Sequence, residues 1–357
     1  MRRCEEIVSA IAGLGIEKPV RIMEVCGTHT MAIARNGIKS LLPEKVRLLS
    51  GPGCPVCVTP PEAIDSVLKL AMNPDVIITT FGDMVRVPGS MPGDNLAGRR
   101  ARGARVEIVY SPVDAVETAA DNPQKEVVFL GVGFETTAPG IAAAVLSARE
   151  RKIANFSVFP MMKSVEPALR TLIGQEDFNV QGLLCPGHVA TVIGEKGFGF
   201  LPEEYAMPAV ISGFECEDIL NAVYMLLRQI ADGTPKLENG YKRAVSYDGN
   251  IKAQEILKRV FLLREDIWRG LGRIEDSGFA FREEFREYDA EYRFGVHRPA
   301  DAEQRKTACR CGDVITGRIA PQNCPLFGKR CVPEDPVGPC MVSGEGACAA
   351  AYKYMEA

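Results

Sequence analysis

The sequence predicts an α/β protein: two similar parallel-sheet α/β domains facing across a cleft, joined to a third part that is helical and loop-rich. Three observations carry this. Short β-branched strands alternate with helical stretches from about residue 19, the pattern of βαβ units and a parallel sheet. The alternation starts again after about residue 120. Beyond about residue 235 it stops, and six of the 12 cysteines crowd between Cys309 and Cys348. The expected division is residues 18–120 and 121–235 for the two α/β domains, with 1–17 and 236–357 forming the third.

The chain opens on Met1-Arg-Arg-Cys-Glu-Glu, then places Ile7, Ala10, Ile11 and Leu14 at helical spacing. That is an amphipathic helix stopped by Gly13 or Gly15, and not a signal peptide. A strand over Val20–Val25 ends in Cys26-Gly-Thr-His-Thr30. Residues 45–50 alternate polar and apolar as a strand does, and end in Gly51-Pro-Gly-Cys-Pro-Val-Cys57. Thr59-Pro-Pro-Glu62 predicts a helix start, with Thr59 as N-cap, Pro60 as first helical residue and Glu62 as capping-box partner. Ile64, Val67, Leu68 and Ala71 give that helix its apolar face. Strands follow over Asp75–Thr80, before Phe81-Gly-Asp-Met, and over Val106–Tyr110, before Ser-Pro.

In the second half, Glu126–Leu130 runs into Gly131-Val-Gly-Phe-Glu-Thr-Thr-Ala-Pro139 and an Ala-rich helix. Phe156–Phe159 leads to a helix through Ala168, Leu169 and Leu172. Gly182–Leu184 ends in Cys185-Pro-Gly-His-Val189, and Ala209–Ile211 precedes a long helix with Ile219, Leu220, Val223 and Leu227. The halves share a plan, without residue-level identity that would mark a duplication. Next come a helix over Ile251–Arg264, a charged aromatic stretch through Phe285, and a tail rich in Gly and Pro.

Apolar content of 46% and charged content of 25% are ordinary for a globular protein. A net charge of -4, with no basic run among aromatics, leaves no footprint for nucleic acid. No apolar run reaches the length of a membrane span, so no membrane partner is expected. The expected compartment is the cytoplasm, where clustered thiols serve metal binding or redox chemistry more often than structural disulfides.

The chemistry-bearing residues fall just beyond predicted strand ends: Cys26, His29, Cys54, Cys57, Asp83, Glu135, Thr136, Cys185 and His188. In open α/β sheets that edge binds ligands. Cys54 and Cys57 lie on a rigid strand-to-helix turn near a positive helix end, which favours thiolate and suits redox chemistry or a soft metal. The bland alternative is two cysteines that merely fill space. His29 or His188 alone reads equally well as a structural histidine, and Glu135 or Thr136 as a helix cap. Gly131-Val-Gly133 lacks the third glycine of a dinucleotide loop and no Walker A sequence occurs, which leaves a nucleotide site little support. In the tail, Cys309, Cys311, Cys324, Cys331, Cys340 and Cys348 contain no C-x-x-C pair of the kind structural zinc favours. An iron–sulfur cluster takes four thiolates at looser spacing; zinc and a disulfide knot remain the alternatives.

Taken together, Cys26-Gly-Thr-His29, Gly51-Pro-Gly-Cys-Pro-Val-Cys57, Gly133-Phe-Glu-Thr-Thr137, Pro186-Gly-His-Val189 and the cysteine-rich tail resemble the HypD family of hydrogenase maturation factors. The resemblance covers essentially the whole chain. It implies a redox-active metallocentre-assembly scaffold, on which the iron of a [NiFe]-hydrogenase acquires two cyanides and one carbon monoxide. It further implies work in complex with the small chaperone HypC and cyanide from HypE, with HypF upstream. By the same resemblance Cys26 anchors the iron of the Fe(CN)2CO group, His29 stands close by, and Cys54 and Cys57 form the neighbouring dithiol. A [4Fe-4S] cluster falls to Cys309, Cys324, Cys331 and Cys348, leaving Cys311 and Cys340 as a redox thiol pair. The family is similar to ferredoxin–thioredoxin reductase in setting a cluster beside redox thiols, so an iron–sulfur disulfide reductase acting on a protein is the rival. A binding chaperone with a structural cluster is a third reading, which would leave the redox thiols idle.

Overall fold

All eight strands expected from the alternation form, and their C-terminal ends carry the candidate residues. The computed structural model of the chain describes residues 2–91, 93–296 and 308–354. One parallel sheet contains β1 (Val20–Glu24), β2 (Val46–Ser50), β7 (Gly182–Pro186), β8 (Ala209–Ser212) and a short β9 (Leu237–Asn239), in the order β2-β1-β7-β8-β9. The other contains β3 (Val76–Thr80), β4 (Arg105–Ile108), β5 (Glu126–Gly133) and β6 (Phe156–Met162), in the order β4-β3-β5-β6.

The strands therefore do not divide near residue 120. Residues 76–162 form a whole sheet between the two halves of the other, and the first sheet closes where Ile22 of β1 pairs with Gly182 of β7. Hydrophobic periodicity specifies that a strand exists, whereas its neighbour depends on which apolar faces meet. The N-terminal helix, Arg2–Gly13, was expected with the cysteine-rich part. Instead Ile11 shares a core with Ile219, Leu220 and Val223 of helix Cys216–Asp232, on the outer face of the first sheet.

Side chains alternate across each sheet, as a pleat requires. On β3, Ile77 faces the helix Ala138–Glu150 through Ile141 and Val145, while Ile78 turns inward. The inner faces of both sheets share one core, in which Met23, Leu183 and Ile211 of the first join Val128, Leu130 and Phe159 of the second. Cys54, Cys57, Trp268, Cys311, Cys340 and Cys348 belong to that same core. The tail is thus built into the junction between the sheets.

An antiparallel hairpin of β10 (Phe261–Trp268) and β11 (Gly272–Phe281) follows helix Ile251–Val260. The helix expected to reach Arg264 ends four residues earlier, because Phe261 pairs with Phe281 and packs on its ring at 4.8 Å. Cross-strand aromatic pairing of this kind outweighs weak helix propensity.

Candidate thiol and metal site

Cys26 lies two residues past the end of β1 and takes the N-cap position of helix Gly27–Arg35. Its amide N–H donates to Glu24 Oε2 at 3.3 Å, and Thr30 Oγ1 donates to the other oxygen at 2.5 Å, so Glu24 pins the helix start from below. Two loops meet here at van der Waals limits. Gly27 N–H donates to Gly53 O at 2.9 Å, and a Cβ on Gly53 would fall 2.2 Å from the Cys26 nitrogen. Only glycine permits that approach, which brings Cys26 beside the Cys54–Cys57 turn. Burial pushes the Cys26 thiol up to about 12, and the nearby Glu345 and Glu24 carboxyls add to the effect. The backbone N–H groups of Thr28 and His29 turn toward its sulfur and oppose the shift, without closing a capping hydrogen bond. A thiol so protonated yields its proton when a metal cation replaces it.

His29 is fully buried, with Nε2 at 2.9 Å from the Gly213 carbonyl and its ring stacked on Phe214 at 4.6 Å. Burial lowers its pKa to about 4, so the imidazole is neutral. Nε2 then carries the proton that Gly213 accepts, and Nδ1, buried without a partner, keeps a free lone pair. His188 stacks on the opposite side of Phe214 at 3.9 Å, making a His29–Phe214–His188 sandwich at the first sheet's edge.

Cys54 and Cys57 are joined as a disulfide, with Cα atoms 5.2 Å apart. Cys54 is the N-cap of a single-turn helix, Pro55–Val58, and its sulfur accepts the Cys57 N–H at 3.1 Å. The expected capping box at Thr59 does not form. Thr59 Oγ1 donates back to the Pro55 carbonyl at 2.9 Å, and the next helix, Pro61–Leu70, starts one residue later than expected, from Pro60 as N-cap. The two prolines permit consecutive short helices where the sequence suggested one.

The tail brings its thiols to this turn. Helices Cys311–Ile315 and Pro339–Val342 both pack on Pro55–Val58. Hydrogen bonds from Cys309 and Cys340 hold the Cys311 thiol well below its ordinary value, and raise those of its two partners. Cys348 is pushed up by burial and by the neighbouring Cys311, Cys331 and Cys324. Cys331 Sγ accepts the Val337 N–H at 3.4 Å, and a side chain on Gly338 would strike the Cys309 sulfur. Cys311, Cys324, Cys331, Cys340 and Cys348 carry free thiols, so no disulfide knot joins these five. Several thiols gathered around one short turn, with a backbone N–H turned to the Cys331 sulfur, fit the donor set of a four-iron cluster.

Other expected residues separate by role. Glu135 belongs to the second sheet, where Oε1 accepts Ser164 Oγ at 2.9 Å and Val165 N–H at 2.8 Å. It caps helix Val165–Ile173, not the helix that follows it in sequence. Burial raises its pKa, and Oε2 has no hydrogen-bond partner. Thr136 also makes no cap: Thr137 takes the N-cap position, without a side-chain hydrogen bond. Cys185 lies within β7, in the core, not past the strand end. Asp83 accepts Ser343 Oγ and Gly344 N–H, both at 3.1 Å, while Glu345 Oε1 accepts Thr28 Oγ1 at 2.6 Å. Loop 343–345 therefore ties the carboxyl edges of both sheets together. Phe214, Arg269 and Glu345 were not foreseen, since each lies in a loop without a recognisable motif.

Fold and site together define a cysteine-dense α/β protein whose buried disulfide turn lies between a lone thiol and a six-thiol tail. The family model HypD, described as "Hydrogenase formation hypA family", matches residues 2–355. Hydrogenase maturation factor HypD of Escherichia coli (strain K12) is 45% identical over 342 residues, covering 95% of this chain and 90% of that protein. Hydrogenase maturation factor HypD of Rhodobacter capsulatus is 45% identical over 345 residues (96% and 91%), and HypD2 of Bradyrhizobium diazoefficiens 44% over 344 (94% and 90%). The chain belongs to the HypD family. Among the described residues no helix is long and apolar enough to cross a membrane.

Proposed function

We infer that this protein acts in hydrogenase maturation as the scaffold on which the iron of a [NiFe]-hydrogenase receives two cyanides and one carbon monoxide. The observation that carries this is the meeting, at one sheet edge, of Cys26 with the Cys54–Cys57 pair, itself packed on the Cys311 and Cys340 helices. Cys26 is the soft anchor for low-spin iron(II). His29, with its proton committed to Gly213, presents a lone pair and not an N–H. It accepts a hydrogen bond from a partner or protonated ligand. HypC is the small chaperone that shares the iron, and HypE delivers cyanide, with HypF upstream.

Cyanide leaves a carrier by reductive cleavage of its carbon–sulfur bond. The reduced Cys54/Cys57 dithiol supplies two electrons and two protons as its S–S bond forms. One proton leaves with the carrier thiol, the second is released, and cyanide remains on iron. Exchange with the Cys311/Cys340 dithiol then reopens that disulfide and closes one between Cys311 and Cys340. Bound to Cys309, Cys324, Cys331 and Cys348, a [4Fe-4S] cluster would supply low-potential electrons. A disulfide reductase of a protein substrate would use both thiol pairs and leave Cys26 idle.

The test is infrared spectroscopy of anaerobic protein co-purified with HypC. Cyanide and carbonyl bands are expected from the wild type and none from Cys26→Ala, whose tail cluster and 54–57 couple stay intact. Cys57→Ala should bind some iron without completing the dicyano-carbonyl centre. Wild-type band strength in Cys26→Ala removes Cys26 from the mechanism and makes Cys54 or Cys57 the next candidate anchor.

A further inference from the structure

Between the two thiol pairs stands a cation that the scaffold reading has not used. Arg269 follows the last residue of β10, and its backbone N–H donates to the Val58 carbonyl at 2.8 Å. Its Nε donates to the Thr59 carbonyl at 3.0 Å. Both acceptors end the turn that carries Cys54 and Cys57, where a short helix leaves carbonyls without partners. The guanidinium's Nη2 is buried and makes no hydrogen bond of ordinary geometry, while Cys311 lies beside the group. The next residue, Gly270, meets Gly312 so closely that a Cβ there would fall 2.6 Å from the Gly312 Cα. One hairpin tip therefore grips the disulfide turn on one side and the Cys311 helix on the other.

We propose that Arg269 is a positioning residue of the thiol relay, fixing the Cys54–Cys57 turn against the Cys311 helix and stabilising the negative charge that develops on sulfur when the Cys54–Cys57 bond opens. Opening that bond takes two electrons and two protons, supplied by a dithiol that itself becomes a disulfide. A thiolate leaves in each exchange step, so a fixed cation beside the turn favours the reduced form over the neutral disulfide. Arginine suits the position because it can donate to a carbonyl and keep its charge while half-buried.

This inference rests on the relay reading, and its test separates the two. The full anaerobic chain is equilibrated in dithiothreitol redox buffers, and the reduced fraction of Cys54 and Cys57 is read by alkylation and peptide mass spectrometry. Arg269→Gln should lower the equilibrium constant for reduction about tenfold, which is ~30 mV for a two-electron couple. Arg269→Lys, which keeps the charge, should stay within about threefold of wild type. Arg318→Gln, which removes an exposed cation paired with Asp177, should leave the constant unchanged. A folded Arg269→Gln protein with the wild-type constant overturns the proposal. If that variant does not fold, a tenfold loss in Arg269→Lys overturns it instead. A wild-type pair that cannot be cycled by dithiothreitol refutes the relay itself, and the inference with it.

Discussion

Replacing Lys163 by Met takes the ammonium from a pair whose side chains are 1% and 6% exposed and whose Nζ–Asp266 Oδ2 distance is 2.7 Å. Lys163 follows β6, with its N–H on the Gly133 carbonyl at 2.9 Å, and Asp266 lies on β10. The pair joins the second sheet to the hairpin whose tip holds the disulfide turn. At an effective dielectric of about 20 the two charges attract by about 6 kcal/mol, most of which offsets their desolvation. Removing one partner leaves the other buried charge without this counter-ion, so Lys163→Met should cost about 3–5 kcal/mol, a large share of a typical stability of about 5–15 kcal/mol. Lys163→Met combined with Asp266→Leu removes both charges and should fall within about 2 kcal/mol of wild type. The chain's one tryptophan, Trp268, is buried with its ring 5.8 Å from the Lys163 ammonium, so its fluorescence reports urea unfolding at this place. A single substitution costing under about 1 kcal/mol, or a double variant as unstable as the sum of the singles, would refute the reasoning. The exposed pair Arg286–Glu283 should show no measurable effect when broken.

Anaerobically purified protein should be brown, with about four irons and four sulfides per chain. Cys324→Ala or Cys331→Ala should bleach it and Cys54→Ala should not, and stoichiometric zinc without sulfide would count against the cluster. Gly53→Ala forces a Cβ to within 2.2 Å of the Cys26 nitrogen, so a loss of about 1–3 kcal/mol and weaker iron retention are expected. Unchanged melting and iron content would argue against the close approach. Burial raises the Glu135 pKa from 4.5, so the folded chain binds the extra proton and stability falls as pH rises from 4.5 through the raised value. Glu135→Gln keeps an acceptor for Ser164 and Val165 and should flatten that slope; parallel wild-type and variant profiles would remove Glu135 from the titration.

Much of the site was legible because its motifs are local. Cys26-Gly-Thr-His29 and Cys54-Pro-Val-Cys57 each lie at a strand end, and strand ends follow from composition and period over a few residues. The role of His29 was not legible. Its tautomer depends on Gly213, 184 residues away, and its burial on the ring of Phe214. The cap that the sequence offers Glu135, as the alternative to a site role, is for the helix beside it, yet Glu135 caps one entered 29 residues later, because β6 brings Ser164 alongside β5.

The sequence by itself determined the α/β class, the first eight strands, the two thiol motifs and the cysteine density of the tail. These depend on periodicity, on turn chemistry and on residue type, all of which act along the chain. Tertiary structure alone decided that residues 76–162 form a sheet of their own and that Phe261 leaves its helix for a strand. It also placed Arg269, Glu345 and Phe214 around the cysteines. Those outcomes depend on which apolar faces bury each other and which carbonyls find a donor, and a partner distant in sequence leaves no periodic trace in the residues it will touch.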